Sequence, residues 1–129
     1  MDIQQPTDGP GAGDTFFIYD PDRNLEGKHQ IPFATIVTKD YDDFDNASKL
    51  NRDGVYRLNI GLSRETSSTV VRPGPELDYT VFDELLPHPV YATQSWVCIV
   101  NPTEATFATT LEPLLAEAYQ RAAQRHPAR

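Results

Sequence analysis

Near the C-terminus, Phe107, Leu111, Leu114, Leu115, Ala118, Tyr119 and Ala122 follow one another at spacings of four, three, one, three, one and three. That is one apolar stripe along an α-helix. A helix with one apolar side must bury it, and the rest of the chain offers short β-rich runs rather than a second long helical pattern. The partner is therefore a sheet. Pro113 interrupts the stripe. A proline lacks the helical donor and crowds the carbonyl four residues back, but it is harmless in a first turn. We expect the helix to start at Thr109 or Thr110, with Phe107 in a lead-in turn. A start at Thr103 would leave a kink at Pro113.

Four runs read as strands. Thr15 to Tyr19 is stopped by Asp20-Pro21-Asp22, and Pro32 to Thr38 carries its proline at the mouth, where no ladder donor is needed. Asn51-Arg52-Asp53-Gly54 is a turn signal that leads into Val55 to Ile60. There Tyr56, Leu58 and Ile60 point one way and Val55, Arg57 and Asn59 the other, which predicts one buried face and one polar face. Trp96 to Val100 is continuously apolar, as expected of a central strand. Ser63 is placed to cap a short helix from Arg64 to about Val71, and Glu65 favours its first turn. Val81 to Leu86 reads as another helical turn, ended by Pro87-His88-Pro89. Asn101-Pro102-Thr103 turns the chain into the last helix.

The expected class is α+β: an antiparallel sheet of four to five strands, with a long C-terminal helix and one or two short helices on one face. At 129 residues the chain fits one domain. We place it at residues 15–125. Residues 1–14, rich in Pro and Gly, read as a loosely attached arm, and 126–129 as a tail.

Charge and cysteine usage remove several functions. The net charge of −8 and pI of about 4.7 repel phosphate backbones and anionic lipid. Cys98 is the one cysteine, so neither an intramolecular disulfide nor a cysteine zinc cage can form. Its apolar strand predicts a buried, inert thiol. No apolar stretch reaches the ~18 residues of a membrane span, and residues 1–14 carry no signal-peptide core. The expected location is the cytoplasm.

The motifs that resemble chemistry fail on inspection. Gly61-Leu62-Ser63-Arg64-Glu65 sits where a nucleophile elbow would, but Glu65 stands in place of the second small residue, so a helix cap accounts better for Ser63. Asp20-Pro21-Asp22-Arg23-Asn24 begins like a calcium loop, yet Leu25 replaces the turn glycine and Ile31 the bidentate Glu. The four aspartates between Asp40 and Asp45 fail the same template and read as a solvated loop. His29, His88 and His126 lack ligand spacing. No metal, cofactor or catalytic constellation is expected.

Candidate binding residues remain. Arg57 and Asn59 share a strand face. Exposed, they are solvated decoration; lining a groove with His88 and Tyr91, near Trp96, they would suit an anionic or planar ligand, because Arg presents a fixed fork of donors.

The strings Pro32 to Thr38, Val55 to Gly61, Trp96 to Pro102 and Leu114 to Tyr119 resemble an uncharacterised bacterial domain-of-unknown-function family over about residues 15–125. The second half also resembles the MmcQ/YjbR-like superfamily, in which a strand beginning with Trp leads to a helix carrying a Ser-Tyr or Ala-Tyr pair. Trp96 and Ala118-Tyr119 stand at those positions. That resemblance implies a compact α+β fold of CyaY-like arrangement and, by fold analogy, DNA binding. Two departures stand out: no helix precedes the first strand, and the basic balance of a DNA binder is absent.

The reading is a cytoplasmic, non-enzymatic module that binds a small molecule or a protein partner through Arg57, Asn59, His88, Tyr91 and Trp96. One alternative is nucleic-acid binding, which requires Arg52, Arg57, Arg64 and Arg72 to gather on one face. A hydrolase using Ser63 is the other.

Overall fold

In the computed structural model the described residues are 2–5, 13–18, 32–40, 45–52, 54–71 and 77–125. Six strands form one antiparallel sheet: β1 (Asp2–Gln4), β2 (Thr15–Ile18), β3 (Pro32–Val37), β4 (Arg57–Gly61), β5 (Leu86–Pro87) and β6 (Trp96–Val100), in the spatial order β1-β2-β3-β4-β6-β5. The α+β class and the antiparallel sheet match the sequence reading. Two short edge strands bring the count to six.

Register decides what the sheet buries. Ala34 lies opposite Ile60, Ile36 opposite Leu58, Leu58 opposite Ile99 and Ile60 opposite Val97. Residues directly opposite share a face, so these side chains form one apolar surface. The C-terminal helix covers it with Leu111, Leu114 and Ala118, and Leu115 and Tyr119 pack against the same core. The β2–β3 register slips between Phe17 and Ile18, and Phe33 is left without a partner. Such a bulge re-aims a side chain. Here the Phe33 ring meets Tyr119 edge-on, 5.6 Å between centroids, instead of following Thr35 to the other face.

The helix begins earlier than its proline suggests. Thr103 caps it by accepting the Thr106 N–H at 3.1 Å. One α-helical turn (Glu104–Thr106) runs into a π-helical turn (Phe107–Leu111) and then into Glu112–Arg125. The Glu112 N–H bonds to the Phe107 carbonyl, five residues back. This corrects the expected start at Thr109. A π turn loosens the ladder just before Pro113, where a tight i−4 bond could not form, so the proline is passed without ending the helix.

Ser63 behaves as expected. It caps α1 (Arg64–Val70) by accepting the Thr66 N–H at 3.1 Å. Glu117 of the C-terminal helix reaches the same end, taking the Ser63 N–H at 3.3 Å and the Thr66 hydroxyl at 2.6 Å. A carboxylate there favours the helix dipole and pins α1 to the long helix.

Two other expectations change. Val81 to Leu86 forms no helical turn: Phe82 bridges Val100, and Leu86 pairs with Cys98. The unpaired edge of β6 offers a ladder that six residues cannot match by helix formation alone. Within the stretch expected to be a loose arm, Asp2–Gln4 pairs along β2, and Asp14 is buried, its Oδ1 accepting the Thr38 N–H at 2.8 Å. Among the described residues, no helix is long and apolar enough to cross a membrane.

Leu111 is fully buried at the π turn, whereas Phe107 is 39% exposed. Leu111→Ala should therefore cost about 2–5 kcal/mol in urea unfolding, and Phe107→Ala under about 1 kcal/mol. Equal shifts in the unfolding midpoint would contradict this placement of the helix.

Candidate functional site

The second face of the sheet carries Thr35 and Val37 from β3, Arg57 and Asn59 from β4, and Trp96, Cys98 and Val100 from β6. The register pairs Thr35 with Asn59, Val37 with Arg57, Asn59 with Cys98 and Arg57 with Val100. This is the face expected to be polar, and it is polar without being wet. Arg57 is 0% exposed and Asn59 3%.

A buried guanidinium needs a counter-charge and partners for its donors. Asp45 supplies the charge as a two-pronged pair: Nη1 donates to Oδ1 at 3.1 Å, and Nη2 to Oδ2. Nη1 also donates to Ser48 Oγ at 3.1 Å, and Nε to Asn59 Oδ1 at 2.8 Å. Asn59 in turn donates to Thr35 Oγ1 at 2.9 Å. One polar row thus runs across three elements.

The 45–52 segment is held over this row by its own bonds. Arg52 donates to the Lys49 carbonyl at 2.6 Å and the Ser48 carbonyl at 3.0 Å. Asp40 accepts the Leu50 N–H at 2.8 Å. Beneath it, Val37, Leu50, Val55 and Val100 form a second small core. The acidic run is therefore no simple solvated loop. Asp45 is buried, Asp40 braces the turn, and Asp42 and Asp43 lie outside the described residues.

His88 closes the row from the other side. Its Nδ1 accepts the N–H groups of Val90 and Tyr91, both at 3.0 Å. A nitrogen that accepts carries no proton, so the ring hydrogen sits on Nε2. Nε2 lies 3.4 Å from Arg57 Nη2 and 3.9 Å from Asp45 Oδ2. Protonating Nδ1 would break two backbone bonds and place a cation beside Arg57. Burial, and then the Arg57 charge, push the His88 pKa down to about 4 against a weaker upward pull from Asp45. His88 is neutral at pH 7.

The two backbone bonds to His88 start a tight loop. His88 N–H donates to the Trp96 carbonyl at 3.0 Å, Tyr91 O accepts from Gln94 and Trp96, and Ser95 takes the left-handed conformation at φ 68°. The loop sets three rings around one space. The His88 and Tyr91 centroids are 5.1 Å apart, His88 and Trp96 6.5 Å, and Tyr91 and Trp96 6.4 Å. Trp96 can lie flat on β4 because Gly61 has no side chain: a Cβ there would be 2.9 Å from Trp96 Cε2. The resulting cavity, about 410 Å³, is lined by Phe16, Tyr91, Trp96 and His88, with Thr35, Asn59 and Asp45 among its polar groups.

The five candidates Arg57, Asn59, His88, Tyr91 and Trp96 therefore come together. Four of them line the cavity, and Arg57 lies beneath it with four of its five N–H donors bonded to Asp45, Ser48 and Asn59. That corrects its expected role: it holds the floor in place and has no fork left for an anion. Asp45 and Ser48 were missed. The available signal was Arg57 itself, since an arginine inside a sheet demands an acid.

Among the described residues the other motifs bring no further functional groups together. Cys98 is buried, its thiol pushed up to about 12 by burial, with Sγ 3.8 Å from the Pro87 carbonyl. Ser63 is engaged with Thr66 as a cap. Arg57 cannot join a surface with Arg52 and Arg64, and Arg72 is outside the described residues. So are His29, His126 and the Asp20–Asn24 loop. Among the described residues, no cluster of three His, Cys, Asp or Glu could hold a metal. A larger hollow of about 670 Å³ lies on the helix face, between Phe17, Phe33, Ile36, Leu58, Leu115 and Tyr119. Its walls are almost all carbon. Few convergent polar groups are available there to orient a ligand, so the smaller cavity is the better candidate.

The chain belongs to DUF6194, a family of unknown function, whose model matches residues 6–129. No curated protein and no solved structure matches the chain.

Asp45→Ala strands a buried guanidinium and should cost about 3–5 kcal/mol in chemical denaturation, while the double variant Arg57→Met/Asp45→Leu should recover most of it. His88 adds a pH signature. Its folded pKa of about 4 lies below the ordinary 6.5, so between these values the unfolded chain takes up the proton that the folded one refuses. Stability should fall as pH drops from 6.5 to 4, by up to ~1.4 kcal/mol per pH unit from this group. His88→Asn, which keeps an acceptor for the Val90 and Tyr91 N–H groups, should flatten that component. An unaltered slope would refute the assignment.

Proposed function

We propose that this domain is a small-molecule-binding module without catalytic machinery, and that the cavity between Trp96, Tyr91 and Asn59 is its binding site. One observation carries the reading: aromatic walls and a hydrogen-bonded polar floor, brought from separate chain segments, converge on a space of about 410 Å³. That is the size and composition of an ordinary ligand pocket. The floor is held by one connected row of hydrogen bonds through Asp45, Ser48, Arg57, Asn59 and Thr35. A preformed site binds without the ordering cost that a flexible one must overcome. The setting we propose is the cytoplasm, which agrees with a lone buried thiol and no possible disulfide. The kinship with the MmcQ/YjbR-like superfamily belongs to the same proposal. What supports it is the placement of Trp96 at the start of β6 and of Ala118-Tyr119 on the helix that follows.

Trp96 is the chain's one tryptophan, so its emission reports on this cavity. A metabolite library screened by thermal shift should contain compounds that raise the melting temperature and change Trp96 emission together. Tyr91 is 37% exposed, so Tyr91→Ala should leave stability within about 1 kcal/mol and weaken those compounds about tenfold. Stabilising compounds that leave Trp96 unperturbed, or affinities untouched by Tyr91→Ala, would place binding elsewhere.

A further inference from the structure

The ligand class can be read from the charges and spare hydrogen bonds of the cavity; this step rests on the binding reading above. Among the described residues two ionised groups adjoin it, Asp45 in its lining and Arg57 beneath, and they neutralise each other through two hydrogen bonds. His88 is uncharged, because its Nδ1 is committed as an acceptor to two backbone N–H groups. An anion entering here finds a guanidinium whose charge is already paired, and it meets the Asp45 carboxylate. A cation finds a carboxylate already paired, with a guanidinium behind it. The site favours a molecule without charge.

Its shape and polarity narrow the class further. His88, Tyr91 and Trp96 present rings with centroids within 6.5 Å of one another, and Phe16 adds another wall. Flat aromatic surfaces favour a planar guest, by stacking or edge-on contact. On the floor, Thr35 Oγ1 receives the Asn59 amide at 2.9 Å, and Asn59 Oδ1 receives Arg57 Nε at 2.8 Å. This leaves the Thr35 hydroxyl proton and the second Asn59 amide proton as donors. Asp45 takes two hydrogen bonds from Arg57, so its carboxylate retains acceptor capacity. Donors at Thr35 and Asn59 and an acceptor at Asp45 therefore line one cavity. The complementary guest carries a carbonyl and an N–H.

We propose that the cavity binds a planar, uncharged nitrogen heterocycle through a lactam edge, its carbonyl on Thr35 and Asn59, its ring N–H on Asp45, and its faces against Tyr91 and Trp96.

Four bicyclic probes of similar size separate the contributions: 2-quinolone, 1-methyl-2-quinolone, 2-naphthoate and 1-methylquinolinium. The readout is the indole N–H resonance of Trp96 in the nitrogen-15-labelled full chain, titrated with each probe. We expect 2-quinolone to shift it, and the other three to bind at least about tenfold more weakly, since one lost or uncompensated hydrogen bond is worth about that factor. Thr35→Val should weaken 2-quinolone by about tenfold, and Thr35→Ser should restore it. Should Thr35→Val fail to fold, the ranking of the four probes on the native chain decides alone. Any comparator that equals 2-quinolone overturns the lactam class while leaving the cavity a binding site. No shift with any of the four also overturns the class, and the library screen then decides separately whether the cavity binds at all.

Discussion

A charged side chain with no exposure, set in the middle of a sheet, governs much of this structure. Arg57 stands on β4 between Val37 and Val100. Removing its guanidinium from water costs several kcal/mol, and the same holds for Asp45. The cost is offset only if both ions meet in good geometry with their remaining donors and acceptors filled. That condition reaches well beyond the pair. It brings the 45–52 segment across the sheet, places Ser48 over Nη1, and turns Asn59 so that its carbonyl faces Nε. Leu50, carried along by the segment, completes the small core with Val37, Val55 and Val100. The two faces of the sheet are thus covered by different means. The helix face is sealed by apolar area, which is tolerant of detail. The opposite face is sealed by directional bonds, which are not.

This division explains where a binding site can arise. On the helix side, Leu58, Ile60, Val97 and Ile99 meet Leu111, Leu114 and Ala118, and the hollow beside them offers few polar groups to orient a guest. On the other side, the polar row fixes donors and acceptors in place but cannot fill the space above them. His88 mediates between row and space. Its Nδ1 starts the loop that carries Tyr91, and its ring forms a wall. A side chain that serves as an internal cap has its tautomer set by the fold, and protonating His88 Nδ1 would cost the loop both of its bonds.

The sequence carried the framework and withheld the connections. The helical stripe from Leu111 to Ala122, the Ser63 cap and the Trp96–Val100 strand follow from periodicity and local capping, and all are present. The π turn was not legible, because a spacing rule built on 3.6 residues per turn has no term for a single inserted residue. The β5 edge was missed because two residues, Leu86–Pro87, are too few for any pattern and owe their pairing to β6. The alternation in β4 told which side chains share a face. It could not tell that the polar face was buried, since alternation reports polarity and not what lies above it. The partner of Arg57 sits twelve residues away, in a run of four aspartates that are equivalent by composition. Only the three-dimensional path of the chain selects Asp45.

The burial of Arg57 also changes what the site can recognise. An exposed arginine on this face would have made an anion the natural guest, because its charge and its fork of donors would both be unspent. Once Asp45 takes two of those donors, and Asn59 and Ser48 take others, the guanidinium acts through its neighbours. It orients the Asn59 amide and holds the Asp45 carboxylate at the cavity wall. Recognition then passes from a strong, non-directional charge to weaker groups whose positions are fixed. Such a site gains little from attraction at a distance and much from shape and hydrogen-bond match, since an ill-fitting guest leaves buried polar groups unpaired. On the proposed reading, selectivity among neutral planar molecules is what this arrangement of Arg57, Asp45 and Asn59 is suited to provide.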